Sequence, residues 1–363
     1  MNLIQIVPGI FPQIDGIGDH ALKLAQQLRA RHGILTTFVV CDPGWKGNPE
    51  HDGFPIVCVT QRTSGALLKT LAGCDMENTP ILVHFSVYGY QKRGCPFWFI
   101  TAMEQYANQY PGMLHAYYHE LSVTGAKPWS SAFWVPPIQR SLILRLAKVA
   151  SGRYTHTEAH RRKLEDWNSG RVSLIELFSS FHEPVAFPSR RRNNDLVVFG
   201  RAWQRMHTYT TGKKALEMLC ARLGIERIID IGPPIEGHTE ATIGGTPVLR
   251  CGRLDAHEID EWMATSIGNF NVYPIALITK SSVFQIASAN GNITFLFDDS
   301  PQEFSCPGLE AGVDYIPVTT EASVLALPPL NELGEEVYRN YQRRASWFAA
   351  DKWAKHLFPA RTR

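Results

Sequence analysis

The sequence predicts an α/β protein built from two Rossmann-like, doubly wound domains, and three observations carry that expectation. The first forty residues run strand, glycine-rich loop, helix, strand, a βαβ unit whose right-handed crossover implies a parallel sheet. The same alternation of short apolar strands and amphipathic helices resumes beyond residue 194. Length agrees, because 363 residues at about 150 per domain make two domains, each able to bury a core.

Composition narrows the class. Hydrophobic residues at 44% and charged residues at 19% exclude a largely disordered chain, a collagen-like repeat and a coiled coil. With 36 basic and 34 acidic side chains the net charge is +2, short of the basic footprint that a nucleic-acid backbone demands, so no nucleic acid is expected as a partner. The cysteines, Cys41, Cys58, Cys74, Cys95, Cys220, Cys251 and Cys306, are odd in number and lack a C-x-x-C pair or zinc-like spacing. They read as reduced thiols in a cytoplasmic protein. The N-terminus lacks the basic and apolar regions of a secretory signal, and no run reaches the length of a membrane span. Peripheral contact with a membrane surface stays open.

The elements follow in order. Residues 2–7 form a strand, PGIFPQIDGIG a loop, and 19–32 a helix with Ala21, Leu24, Ala25 and Leu28 on one face; Gly33 ends it and 34–40 returns as a strand. Further strands are expected at 55–59, 81–85, 113–118 and 152–155, with helices at 65–71, 97–108 and 137–149. The pattern lapses over 177–194, where two prolines and three consecutive arginines suggest a linker. Beyond it come strands at 195–200, 227–231, 247–251 and 293–297, and helices at 212–223, 257–264 and 282–289. The tail over 333–357 reads as one helix, with Val337, Tyr341, Trp347, Phe348 and Trp353 available for packing. The expected domains are 1–177 and 178–333, with 334–363 either crossing back to the first or packing within the second.

Four constellations are able to carry chemistry. In Asp15-Gly16-Ile17-Gly18-Asp19-His20, Gly16 and Gly18 permit a tight turn and present N–H groups to an anion at a helix start. A plain strand-to-helix turn with Asp19 as N-cap accounts for the same residues. The third glycine of the dinucleotide fingerprint is missing, which disfavours a nicotinamide cofactor. His119 and Glu120 are expected directly after a strand end, where parallel sheets meet their ligands, and His84 and the Tyr88-Gly89-Tyr90 loop are placed by the same rule. A satisfied structural histidine is the alternative for each imidazole. Arg201 and Arg205 leave a strand end and Lys213 and Lys214 open the next helix, so the four are candidates to converge on a diphosphate; solvated surface charge is the alternative. Lys280, Ser281 and Ser282 lie at a helix start as a further anion nest, or as a simple serine cap with a surface lysine.

On these residues the chain resembles the two-domain GT-B glycosyltransferases, particularly the large retaining group that uses nucleotide sugars. The GIGDHA loop, the FGR segment, the CGRL strand followed by EIDEWM, and the helix ending in Ala289-Asn290-Gly291 carry the likeness over nearly the full length. The resemblance implies two domains facing a cleft, with the loop at Asp15 to His20 beneath the donor phosphates. It places Arg201 as the diphosphate-binding base, with Lys213 or Lys214 as its partner. One departure stands out: the family's glutamate pair, separated by seven residues, falls on Ile278 and Ile286. Lys280-Ser281-Ser282 is the expected replacement. HFSVYGYQKRGCP-like and YYHELSVTG-like stretches resemble a divergent bacterial subgroup.

The resemblance implies transfer of a sugar from a nucleotide diphosphate sugar to a hydroxyl acceptor, in cell-envelope or extracellular polysaccharide synthesis. The donor binds Gly16, Gly18, Arg201, Arg205, Lys213, Lys214, Lys280, Ser281 and Ser282. The acceptor, a glycan or lipid-linked molecule, meets Asp19, His84 and Tyr88, and His119 with Glu120 handles the proton or orients the hydroxyl. No metal and no cofactor are expected, since no D-x-D pattern is present. The rival expectation is a non-catalytic GT-B protein that binds nucleotide, glycan or an enzyme partner.

Overall fold

Asn2–Val7 forms β1 with five of six side chains buried, as a strand covered on both faces requires. In the computed structural model the described residues are 1–13, 15–74, 79–121, 135–188, 192–237, 240–299, 305–320 and 329–359. They divide into two units, Met1–Glu176 with Ser346–Arg363, and Leu177–Ala345.

In the first unit β1 is followed by α1 (Gly16–His32), β2 (Leu35–Val40), β3 (Glu50–His51), β4 (Phe54–Cys58) and α2 (Ser64–Ala72). Then come β5 (Ile81–Ser86), α3 (Val87–Tyr90), α4 (Phe97–Gln109), β6 (Leu114–Glu120), α5 (Pro136–Val149), β7 (Gly152–Thr155), α6 (Glu158–Asp166) and β8 (Ser173–Leu174). The sheet order is β3-β4-β2-β1-β5-β6-β7-β8, parallel except for the β3–β4 hairpin. Strand addition reverses direction between β1 and β5. Val7, Phe38 and Val40 pack with Ala21 and Ala25 of α1, while Ile6, Val83, Phe85 and Tyr118 pack on the other face with Leu67, Met103 and Leu142.

Helix α1 starts at Gly16, earlier than expected, because Asp15 and not Asp19 is its N-cap: the Asp15 carboxylate accepts from the Ile17 and Gly18 N–H groups at 2.8 and 3.1 Å. Tyr88-Gly89-Tyr90, expected as a loop, lies in the short helix α3.

The second unit contains β9 (Asn193–Phe199), α7 (Ala202–Thr210), α8 (Lys213–Leu223), β10 (Arg227–Ile231), β11 (Thr242–Ile243) and β12 (Thr246–Gly252). It continues with α9 (Ala256–Thr265), β13 (Ser266–Val272), a 3-10 turn (Ile275–Lys280), α10 (Ser282–Ala289), β14 (Ile293–Phe297), β15 (Ile316–Pro317) and α11 (Leu330–Tyr341). The order is β11-β12-β10-β9-β13-β14-β15, parallel except for β11–β12, and the reversal lies between β9 and β13. Sequence patterning missed β13, whose centre is Gly-Asn-Phe-Asn. All seven residues are buried, and Asn269 offsets its burial by donating to Asn292 Oδ1 and Thr294 Oγ1 at 3.0 and 2.9 Å.

The tail expected as one helix is two. Helix α11 belongs to the second unit, which runs to Ala345 and not to 333. There the Tyr341 hydroxyl donates to Glu183 and accepts from the Ser179 N–H, and Tyr338 donates to the Pro184 carbonyl. The segment over 177–188 is thus fastened within this unit and does not act as a loose linker; Arg190 and Arg191 lie outside the described residues. Helix α12 (Ser346–Leu357) belongs to the first unit, where Asp351 pairs with Arg31 and His32 of α1 at 2.8 and 2.7 Å.

Candidate active site

Open parallel sheets bind ligands outside the carboxyl ends of their strands, where strand order reverses. In the first unit that edge is formed by the segments after β1 and β5. A Cβ on Gly18 would lie 2.3 Å from the Gly9 carbonyl, so the hydrogen of glycine is what permits the start of α1 to pack on its own loop. The N–H groups of Ile17 and Gly18 are engaged by the Asp15 side chain. Gly18 is therefore a packing residue, while Gly16 remains exposed. One turn in, partly buried Asp19 is pushed up to about 6, first by burial and then by the neighbouring Asp15.

Beneath α1 stands a buried cluster of imidazoles. His20 comes from α1, His84 from β5 and His119 from β6, with ring centroids of His20 6.1 and 5.6 Å from the other two. His84 was expected beyond its strand as an acceptor ligand. It lies inside β5 and is 0% exposed, so no acceptor meets it. Its Nε2 faces Gln5 Oε1 at 2.6 Å and its Nδ1 faces His119 Nε2 at 3.1 Å. His119 and Glu120 are the last two residues of β6 rather than the first beyond it. His119 is buried and its carbonyl faces His156 Nε2 at 3.0 Å. Glu120 is exposed and accepts from the Ser86 hydroxyl at 3.0 Å, which ties the ends of β5 and β6 together. Tyr88 is partly buried in α3. The stretch from Ser122 to Gly125, part of the resemblance, lies outside the described residues.

Gln5, Ser86 and His156 were missed by sequence reasoning, and His20 was named only as the last residue of the glycine loop. A signal existed for two of these four: His20 is in helical register with Leu24 and Leu28, and Gln5 shares one strand face with Leu3 and Val7.

Burial disfavours the charged imidazole, holding His20 at about 3 and, with His356 as a lesser cause, His115 at about 4; His84 is also held well below the usual 6.5. The unfolded chain binds these protons below pH 6.5 and the folded one does not. Stability is therefore complete above about pH 6.5 and falls on acidification, by roughly 1.4 kcal/mol per pH unit for each histidine. Asp19 acts oppositely, retaining between 3.8 and about 6 a proton that the unfolded chain loses, and offsets one of them. Urea titrations from pH 7 to 4 should show this decline, and His20→Asn should reduce its slope by about 1.4 kcal/mol per pH unit.

In the second unit the edge lies outside β9 and β13. Arg201 follows β9 as the exposed N-cap of α7, its own N–H donating to Gln204 Oε1 at 3.2 Å. Lys280 and Ser281 follow β13, and Ser282 opens α10. The strand reversal thus brings these two sequence-predicted groups to neighbouring strand ends. The Ser281 hydroxyl is buried and accepts from the Phe284 N–H and Asn271 Nδ2, both at 3.3 Å, while Ser282 is exposed. Arg205 departs from expectation. It is 2% exposed and its guanidinium donates to the Asp230 carboxylate and to the Gly200 and Pro233 carbonyls. A guanidinium so engaged is a brace for the loop and not a ligand for a diphosphate. Gly232, at φ +145, lets that loop close, since a Cβ there would lie 2.3 Å from the Gly200 carbonyl. Lys213 is ion-paired with Glu240 at 2.8 Å, and Lys214 is exposed beside it. Ile278 and Ile286, standing where the resemblance places glutamates, are fully buried.

The fold is that of the GT-B glycosyltransferases. The chain is similar to an alpha,alpha-trehalose-phosphate synthase (UDP-forming) from Burkholderia vietnamiensis, at 12% identity and TM-score 0.60, covering 99% of this chain and 100% of that one. It is similar also to sucrose-phosphate synthase from Thermosynechococcus elongatus, at 13% identity and TM-score 0.57, with 99% and 95% covered. A third similar structure is the lipopolysaccharide outer core galactosyltransferase WaaB, at 9% identity and TM-score 0.57, with 99% of each chain covered. No family model matches the chain, and no curated protein does.

Proposed function

We propose that this protein is a glycosyltransferase that moves a sugar from a nucleotide diphosphate sugar to a hydroxyl acceptor in cell-envelope or extracellular polysaccharide synthesis. The observation that carries the reading is the exposed Arg201 at the β9 strand end, at the reversal point of the second sheet, in a chain with the GT-B fold. A leaving diphosphate is stabilised by a guanidinium fork and helix N-termini. Arg201, Lys280 and the start of α10 at Ser282 supply these groups, with Lys214 as a further cation. Such groups perform the charge stabilisation that a metal would otherwise provide, so the reading assigns no metal and no cofactor beyond the donor substrate.

The first unit serves the acceptor. Exposed Glu120 and the buried His119 beside it orient or deprotonate the hydroxyl, and Asp19, its carboxyl pushed up to about 6 by burial and by Asp15, contributes a further polar contact. Retention of anomeric configuration, a glycan or lipid-linked acceptor and a cytoplasmic site of action complete the proposal and rest on the likeness to the retaining group. No helix among the described residues is long and apolar enough to cross a membrane. The exposed Ile138, Arg140 and Lys148 of α5 favour peripheral attachment.

A thermal-shift screen of nucleotide diphosphates and their sugars tests the donor class, since a ligand of the folded state raises Tm. Arg201→Ala should weaken the binding found there by about 1.5–3 kcal/mol in calorimetry, without unfolding the protein. Unchanged affinity in the folded variant removes Arg201 from the donor site. Failure of every nucleotide diphosphate to stabilise the protein, together with no sugar transfer, overturns the reading.

A further inference from the structure

Phe11, in the loop between β1 and α1, is 54% exposed, and its ring lies on the His51 imidazole of β3 with centroids 4.6 Å apart and planes 18° from parallel. Burial is the favoured state of such a ring, yet this one is mounted in the open. The indole of Trp45 donates to the carbonyls of Ile10 and Phe11 at 3.0 and 3.1 Å, which fixes the backbone that carries the ring. A Cβ on Gly47 would stand 2.2 Å from Trp45 Cζ2 and 2.9 Å from Pro12 Cδ, so glycine is what lets the indole lie there. Beside His51, the hairpin is tied to α1, where Gln26 donates to the Asp52 carboxylate and Arg29 to the Asp52 carbonyl, both at 2.8 Å. The groups assigned above to donor and acceptor include none of these residues.

We propose that Phe11 and His51 form a second carbohydrate site, on which a neutral pyranose unit of a glycan stacks. The face of an aromatic ring is the negative part of its quadrupole and attracts polarised C–H groups. A pyranose presents such a face with hydroxyls around its rim, and the segment that carries Trp45 and His51 also bears the exposed Lys46, Asn48 and Glu50 as hydrogen-bonding groups. Over 42–52 the one base, Lys46, stands against Asp42, Glu50 and Asp52, a balance that repels a diphosphate, an anionic lipid and a nucleic acid. One open ring is too small for a stable protein interface, which takes about 800 Å² from each partner. The fixed mount lowers the entropy lost on binding. His51 is on β3, five places along the sheet from β6 and Glu120, so the sugar bound here is not the one that reacts. The use of the site, to hold a glycan acceptor by a distant unit, rests on the proposed function; the binding itself does not.

The test uses the full-length protein and three soluble probes, maltohexaose, cellohexaose and a β-1,4-linked galactohexaose. With 15N-tryptophan labelling, the indole N–H signal of Trp45, assigned by its absence in Trp45→Phe, should shift on titration with at least one of them. In calorimetry Phe11→Ala should weaken that binding by about tenfold, with a melting temperature nearly unchanged because the deleted ring is exposed, and Phe11→Trp should retain it. A Trp45 signal unmoved by all three probes, or full affinity in folded Phe11→Ala, overturns the proposal. So does sedimentation of the protein with phosphatidylglycerol vesicles that Phe11→Ala abolishes, which would assign the ring to a lipid surface. Hexasaccharide binding lost in Phe11→Ala, with no sugar transfer from any donor, would sink the proposed function and leave this site standing. Transfer to a monosaccharide acceptor with no shift at Trp45 would do the reverse.

Discussion

His119→Ala should lower turnover by about 10²–10⁴, the usual yield of a group that handles a proton or orients the acceptor in the transition state, while nucleotide diphosphate binding changes little. The contrast is sharp because His119 lies in the first unit and the proposed donor groups, Arg201 and Lys280, lie in the second. Truncation also leaves a void beside His20 and His84, so some loss of stability accompanies the loss of rate. Rate per folded molecule and melting temperature should therefore be measured on one preparation. Glu120→Gln is the companion variant, since Glu120 is exposed and should lose rate without losing stability. Full activity in a folded His119→Ala protein would remove the catalytic assignment.

Asp230→Ala should destabilise the second unit by about 3–5 kcal/mol, because it strands a buried guanidinium. Asp230 is almost fully buried and accepts from Arg205 and from the Tyr209 hydroxyl. Arg205 in turn holds the Gly200 and Pro233 carbonyls at the ends of β9 and β10, immediately beside Arg201. Loss of donor affinity should accompany the loss of stability. The double variant Arg205→Met with Asp230→Leu, which removes both charges, should recover part of the stability in urea unfolding, since desolvation of the pair is then no longer required. A loss below about 1 kcal/mol for Asp230→Ala would show that the pair is not the brace described.

Much of the fold was legible because its signals are local. Residues 2–7, 152–155, 227–231, 282–289 and 293–297 fall where apolar alternation or helical periodicity places them. Gly33 stops α1 as expected. The errors have identifiable causes. Strand β13 is polar in its centre, and its asparagines tolerate burial through partners outside the strand, Asn292 and Thr294 for Asn269 and Ser281 for Asn271. Helix α7, Ala202–Thr210, was obscured by its threonines and aromatics, which are weak helix formers, and its one arginine, Arg205, proves to be the buried brace.

The candidate site divides along the same line. That Arg201 stands at a strand-to-helix junction and Ser282 at a helix start was readable from neighbouring residues, because strand ends and helix starts are set by nearest-neighbour preferences. That these junctions belong to adjacent strand ends follows only from the place of β13 beside β9. His84 and His119 were both singled out from sequence, yet the groups that face them were not, since Gln5 reaches His84 from 79 residues away and both rings are buried. Arg31 finds Asp351 across 320 residues, and no local pattern announces it. Local preferences are written in each short segment and survive without the rest of the chain. The protonation state of an imidazole, the engagement of a guanidinium and the choice between ligand and brace depend on which distant groups exclude water around them, and those are fixed only when the sheets assemble.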